Sequence, residues 1–224
     1  MTPAPRERIE AIEDAIAHMP SGSVLLLEDI SWEGYERLLS GLGDDSHVRL
    51  TYDNGRLEIM SPSDKHEYLK SLLGHLMGAL TEELDLKYIS IGSTTLKRDQ
   101  ASRGTEPDDC FYITNADRVI GKGEIDLSVD PPPDLAVEID ISNRSQTKFP
   151  IYVSLGVPEI WQYKDGQTRF YRLTESGYQE IPASNLFPFL TPDVMTDLLN
   201  QEYIQDFNTV KRKFRKWVRQ HKSA

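Results

Sequence analysis

The chain has little cysteine. Cys110 stands alone, so no disulfide can close within the chain and a zinc–thiolate site is excluded. No apolar run approaches the roughly 18 residues that a membrane-spanning helix needs. The first twenty residues, MTPAPRERIEAIEDAIAHMP, mix acids and bases and lack the apolar stretch of a secretory signal. There is no internal repeat and no low-complexity tract. These absences lead to the expectation of a soluble cytoplasmic protein of 224 residues, long enough for one sizeable core.

Positive charge is scarce over most of the chain. There are 25 Lys and Arg against 36 Asp and Glu, a net charge of −11, which weighs against non-specific binding to nucleic acid. The charge is also segregated. TVKRKFRKWVRQHKSA holds Lys211, Arg212, Lys213, Arg215, Lys216, Arg219 and Lys222 and no acid, which leaves 18 bases against all 36 acids elsewhere. Two readings follow: a solvated helix that offsets an acidic body, or an arm that contacts phosphates.

Periodicity predicts the elements. Residues 5–18 read as a helix. SWEGYERLLSGLG reads as a second, capped by Ser31 and ended by Gly41 or Gly43. HVRLTYDNGRLEIMSPS reads as a hairpin turning at Asp53-Asn54-Gly55. A long helix follows from about Asp64 to Leu84, with Leu69, Leu72, Leu73, Leu76, Leu80 and Leu84 at helical spacing. KYISIG and EPDDCFYIT read as strands, ASRGT as a loop between them, and the Asn/Gly-containing stretch after EPDDCFYIT as a long connection. SQTKFPIYVSLG reads as a short helix capped by Ser145 or Thr147 and stopped by Gly156. VPEIWQYKDGQTRFYRL reads as a hairpin at Asp165-Gly166, GYQEI as a further strand, and 192–200 and 202–220 as closing helices. The sum is an α/β (α+β) chain with a mixed sheet flanked by helices.

The chemistry is concentrated in PPPDLAVEIDISNRS. Leu135, Val137, Ile139 and Ile141 alternate with Asp134, Ala136, Glu138 and Asp140, so one face of this strand is aliphatic and the other carries two acids. Upstream, Asp108 opens a strand after Pro107, with Glu106 on its face if the backbone is extended. Downstream, Lys148 enters the next helix after a short loop. Glu138 lies about three residues, roughly 10 Å, from its strand end, within reach of a lysine folding back. Clustered carboxylates repel one another and resist burial as anions, and a divalent ion reverses both penalties. Mg²⁺ (or Mn²⁺) prefers oxygen ligands and activates water for phosphodiester hydrolysis. Trp161, Ile160 and Cys110 read as core.

EPDDCFYI, PPPDLAVEIDIS and KFPIYVSLGVPEIWQY, with YDNGRLEIMSPSDKHEYL upstream, closely resemble the Uma-two family, a bacterial group classed with the restriction endonucleases in the PD-(D/E)XK nuclease-like superfamily. The likeness runs from about Tyr52 to Tyr171. It implies a restriction-endonuclease-like core at 46–190, with an N-terminal helical segment at 1–45 and C-terminal helices with the basic tail at 191–224. It implies Asp108 and Glu138 as catalytic metal ligands and Lys148 and His66 as further catalytic residues; Asp140, on the same strand face as Glu138, is expected as a third metal ligand. Glu58, Glu106 and Tyr152 are lesser candidates. One departure stands out: the superfamily usually has a lysine two residues after the glutamate, where this chain has Asp140. The leading expectation is a Mg²⁺-dependent endonuclease acting on DNA as a homodimer, with Lys97, Arg98, Arg103 and the tail available to phosphates. The alternatives are an inactive nuclease-fold adaptor, which Asp140 favours, and a phosphohydrolase for a small substrate, which a deep closed pocket would favour.

Overall fold

A computed structural model describes residues 5–43, 47–98, 102–141, 148–200 and 206–222, the side chains of 5–8 aside. The expected mixture of helices and strands is present, but the strands form two sheets. The first contains β1 (Val24–Leu27), β2 (Arg49–Asp53), β3 (Arg56–Met60), β5 (Leu96–Arg98) and β6 (Arg103–Thr105), in the order β1-β3-β2-β6-β5, antiparallel throughout. Helices α1 (Pro5–Ala17) and α2 (Trp32–Leu42) bury Ile9, Ile12, Ile16, Tyr35 and Leu38 in a common core with its residues Leu50, Leu57 and Ile59.

The second sheet runs β11-β10-β9-β8-β7-β4, built from β4 (Ile89–Ser90), β7 (Asp109–Tyr112), β8 (Leu135–Asp140), β9 (Glu159–Lys164), β10 (Gln167–Thr174) and β11 (Gly177–Ile181). Its β8–β9 pair is parallel, the others antiparallel. A parallel pair needs a crossover, and α5 (Phe149–Leu155) supplies it. Helices α3 (Asp64–Glu83), α6 (Pro192–Leu199) and α7 (Phe207–His221) share one core with Leu135, Val137 and Ile139, while α5 shares another with Ala136 and Ile160. The alternation in β8 therefore sends its aliphatic side toward α3 and its acidic side toward α5. No helix among the described residues is long and apolar enough to cross a membrane.

Several expectations need correction. ASRGT is not all loop, because Arg103–Thr105 is β6, paired with β2 and β5, while Ala101 lies outside the described residues. Its glycine hid it: Gly104 has no side chain to alternate. The long connection after β7 contains a short helix, α4 (Ala116–Val119), and β1 was not anticipated at all. Ser145 and Thr147, the expected caps of α5, lie outside the described residues; Lys148 occupies the N-cap position and makes no side-chain capping bond. The turn residues behave as read. Asn54 and Gly55, and Asp165 and Gly166, all have positive φ.

Gly104 also fixes how the first sheet meets α2. A methyl group there would lie 3.0 Å from Cζ and 3.1 Å from Cε1 of Tyr35, and closer still to its hydroxyl oxygen. Tyr35 is fully buried and stacked on Tyr52 at 4.9 Å, and among the described residues its hydroxyl has no hydrogen-bond partner. Gly104→Ala is therefore expected to destabilise the protein by about 1–3 kcal/mol, the usual range for overpacking. Adding Tyr35→Phe, which removes the nearest atom, should recover part of that loss in urea denaturation.

Candidate active site

Three separate segments meet at the acidic face of β8. Asp108 precedes β7, and its N–H extends the ladder to the Val137 carbonyl at 3.1 Å. Its Oδ2 accepts from the N–H of Ile139 at 2.6 Å. Glu138 is 8% exposed on the α5 side of β8. Lys148, 7% exposed, reaches back from the start of α5 and sets its Nζ 2.8 Å from Glu138 Oε2 and 3.1 Å from the Glu106 carbonyl. One helical turn on, the fully buried Tyr152 donates its hydroxyl hydrogen to Glu138 Oε1. Residues four apart share a helix face, so α5 grips both carboxylate oxygens at once. Pro150 sits in the first turn of that helix and Gly156, with φ 78°, ends it.

His66 enters from the first turn of α3, whose N-cap Ser63 accepts from the His66 N–H. Its Nε2 lies 2.9 Å from Asp108 Oδ1, and its Nδ1 lies 3.3 Å from Glu67 Oε1. Burial disfavours the imidazolium, but the Asp108 and Glu67 carboxylates outweigh it and raise the pKa of His66 to about 9. Burial likewise pushes Glu138 up to about 7 against the pull of the Lys148 ammonium. Asp108 is held below the usual carboxylate range: its own burial opposes ionisation, and the His66 cation more than offsets it.

Asp108, Glu138 and Lys148 border a cavity of about 30 Å³, the room of roughly one water molecule. Asp108, Glu138, Asp140 and Lys148 line it from the second sheet and α5, joined by Gln162 of β9. Arg49, Thr51 and Glu58 line it from the β2–β3 hairpin. The site is thus walled by both sheets. Sequence reasoning had set Glu58 as a minor candidate and did not reach Arg49, Thr51 or Gln162. The parallel β8–β9 register is the missing signal, since it pairs Glu138 with Gln162 and Asp140 with Lys164. Asp140 Oδ2 indeed lies 2.8 Å from Lys164 Nζ.

Other candidates are used elsewhere. Glu106 does not share the face of Asp108: its carboxylate accepts from the Leu50 N–H at 2.8 Å and the Thr95 hydroxyl at 3.0 Å. Arg98 donates to the Ser154 carbonyl, Arg103 binds Asp53 and the Pro150 carbonyl, and Lys97 pairs with Glu36. All three are spent on protein acceptors. Cys110, Ile160 and Trp161 are buried as expected.

The donor set suits a hard divalent ion of the open kind. Among the described residues Asp108 Oδ1 is buried with the His66 imidazole 2.9 Å away and no other hydrogen-bond partner. Among the described residues no three His, Cys, Asp or Glu side chains form a cage. Mg²⁺ does not need one, because it typically takes one or two carboxylates and keeps several waters.

Comparison with known proteins places this geometry in a family. The profile of the Uma2 family, described as "Putative restriction endonuclease", matches residues 32–199. A solved structure from Anabaena variabilis ATCC 29413, described as "a putative nuclease belonging to DUF820", is similar over 83% of this chain and 99% of its own, with 15% identity and a TM-score of 0.49. No curated protein matches the chain.

Among the raised pKa values, those of Glu138 and His66 make stability depend on pH with a definite sign. The ordinary pKa of Glu138 is 4.5 and that of His66 is 6.5, and both are raised on folding. Each contributes stability that is full below its ordinary pKa and lost as pH rises through its folded value. Asp108 and Glu67 are lowered and act oppositely, losing their contribution in acid. The metal-free protein is therefore expected to be most stable near about pH 5 and to weaken steadily toward pH 9. In denaturant titrations across that range, Glu138→Gln should flatten the segment up to pH 7 and His66→Gln the segment up to pH 9.

Proposed function

The chain belongs to the Uma2 family, and on that premise we propose that it is a DNA endonuclease that hydrolyses phosphodiester bonds with Mg²⁺ or Mn²⁺ at the cavity between the two sheets. The observation that carries this reading is the convergence of Asp108, Glu138 and Lys148, from three segments distant in sequence, on one small acidic cavity. A cavity of about 30 Å³ admits an ion and not a nucleotide, so the substrate lies outside it. That favours a polymer backbone laid across the mouth over a small enclosed substrate, whose pockets run to several hundred Å³.

In this mechanism Asp108 and Glu138 would hold the divalent ion, with Asp140, paired with Lys164, as a further oxygen donor lining the same cavity. When bound, the ion polarises the phosphoryl oxygen and lowers the pKa of a water. The residues of the chain do the rest. Tyr152 and Lys148 fix the Glu138 carboxylate in one orientation, and His66 does the same for Asp108. The Lys148 ammonium, beside Glu138, would orient the attacking water and face the charge that develops on the phosphate. A homodimer would present two symmetric sites to the two strands.

A second reading, an inactive adaptor, draws support from the same contacts: both oxygens of Glu138 are already engaged, and Asp140 stands where the superfamily usually has a lysine. Plasmid nicking in Mg²⁺ or Mn²⁺ separates the two. Wild type is expected to nick, and Asp108→Ala, Glu138→Ala and Lys148→Ala are each expected to lower the rate by about 10²-fold or more, the scale of losing a group that acts in the transition state. A wild type that neither nicks nor gains thermal stability from either metal would establish the adaptor.

A further inference from the structure

A chain this acidic approaches a polyanion only where its cations gather. The basic helix α7 sits on the opposite side of the second sheet from the acidic cavity, with Val210, Phe214 and Val218 buried in the core it shares with α3. Arg215 pairs there with Glu82, and Arg219 grips Glu83 with two bonds of 2.7 Å. On the cavity side, Lys97, Arg98 and Arg103 are bound to acceptors within the fold. The second sheet itself carries one more arginine on that side.

The registers of β8, β9 and β10 set three rungs across the cavity side of the sheet. Ala136, Ile160 and Tyr171 form the first, Glu138, Gln162 and Arg169 the second, and Asp140, Lys164 and Gln167 the third. The first rung is core and packs with Ile151, Tyr152 and Leu155 of α5. The second begins at the cavity, which Glu138 and Gln162 both line. It ends on Arg169, which is partly exposed and two strands from Glu138, about 10 Å. Alternation fixes the side: the neighbouring Phe170 is buried in the core shared with α3, so Arg169 faces the other way.

The charge around Arg169 gives it a use. Glu58, Asp108, Glu138 and Asp140 bring four carboxylates to the cavity, and Lys148 and Lys164 are each paired with one of them. Among the described residues Arg169 pairs with no acid, and Glu180 of β11 stands opposite Tyr171. The Arg169 guanidinium donates to Gln167 Oε1 at 2.8 Å. A neutral amide leaves the positive charge uncompensated, and one bond leaves most of the five N–H donors of the fork for another acceptor. Gln162, between Glu138 and Arg169, adds an uncharged amide.

We propose that Arg169 is a positioning residue: its guanidinium grips a backbone phosphate of duplex DNA and, with Gln162, lays the strand across the cavity mouth from β8 toward β10. The proposal rests on the nuclease reading for its choice of polyanion. About 10 Å corresponds to roughly three nucleotides of one strand, at about 3.4 Å of rise each. The guanidinium fork matches phosphate with two parallel N–H groups, and such a contact fixes position without selecting sequence.

The test measures binding of the full chain to a fluorescein-labelled 20-base-pair duplex by anisotropy from 50 to 200 mM salt, in EDTA and in Ca²⁺, which takes oxygen ligands as Mg²⁺ does. Arg169→Gln is compared with Arg169→Lys and with Arg172→Gln, whose arginine is exposed on the opposite face of the same strand. Arg169→Gln is expected to bind about tenfold more weakly at 50 mM salt, the scale of a hydrogen bond to a charged group. Its slope of log affinity against log salt should fall by about 0.9, one phosphate contact. Arg169→Lys keeps the charge and should restore the slope, and Arg172→Gln should match wild type. Far-ultraviolet circular dichroism checks that each variant remains folded. An equal fall in slope for Arg172→Gln reports net charge alone and overturns the proposal. So does an unchanged slope in Arg169→Gln, a lysine variant that behaves as the glutamine one, or a wild type with no affinity for the duplex in either condition. The expected slopes without plasmid nicking in Mg²⁺ or Mn²⁺ leave this surface standing and sink the nuclease reading. Nicking by a wild type whose slope Arg169→Gln does not change does the reverse.

Discussion

The arrangement depends on a buried charge pair. Glu138 and Lys148 meet at 2.8 Å where each is less than 10% exposed. Taking both charges out of water costs several kcal/mol per ion, and their attraction repays it only when geometry is good and the remaining lone pairs are satisfied. Here α5 meets both conditions from one face, with the Lys148 ammonium on one oxygen and the Tyr152 hydroxyl on the other. A pair of this kind adds little net stability compared with an apolar replacement, whereas losing one partner is severe, about 3–5 kcal/mol. Its value is in register: α5 must start at Lys148, and the crossover must return it over β8, for the pair to form at all.

The first sheet makes that register firm. Arg98 of β5 and Arg103 of β6 donate to the Ser154 and Pro150 carbonyls of α5, and Asp53 of β2 holds Arg103 from the other side. Carbonyls near a helix C-terminus lack partners within the helix, and Arg98 satisfies one of them. The cations that the sequence suggested for DNA thus brace the helix that carries Lys148. Glu106 does parallel work: its side chain ties to Leu50 and Thr95 while its carbonyl receives Lys148. The two sheets are joined through the polar groups that define the site.

How much of this was legible follows from the range of each interaction. The two faces of β8 could be read because side-chain alternation is local, and the reach of Lys148 followed from a short loop and the rise of a strand. The turns at Asn54-Gly55 and Asp165-Gly166 were legible because few residues accept positive φ. Strand β6 was not, since its centre is Gly104, selected by the bulk of Tyr35 some seventy residues earlier. Nor was β1, whose VLLL has no alternation to mark it. The splitting of the strands into two sheets depends on β2 meeting β6 across fifty residues, which no local pattern encodes. The partners of Asp140 and His66 were hidden for different reasons: Lys164 needs the parallel register, and Glu67 lies next to His66 in the chain, where side chains ordinarily diverge.

Asp140 shows how the site keeps its charge balance despite departing from the superfamily pattern that the sequence resembles. An acid at that strand position would add a fourth carboxylate to Glu58, Asp108 and Glu138 around one small cavity. Carboxylates gathered this closely repel one another. The fold answers with cations from separate elements: His66 from α3 beside Asp108, Lys148 from α5 beside Glu138, and Lys164 from the neighbouring strand beside Asp140. A lysine at position 140 would deliver its cation from the strand itself. Here the same face of β8 receives one cation from the helix after it and another from the strand parallel to it. The acids then stay available as oxygen donors, and the charge that opposes them comes from side chains of three other elements.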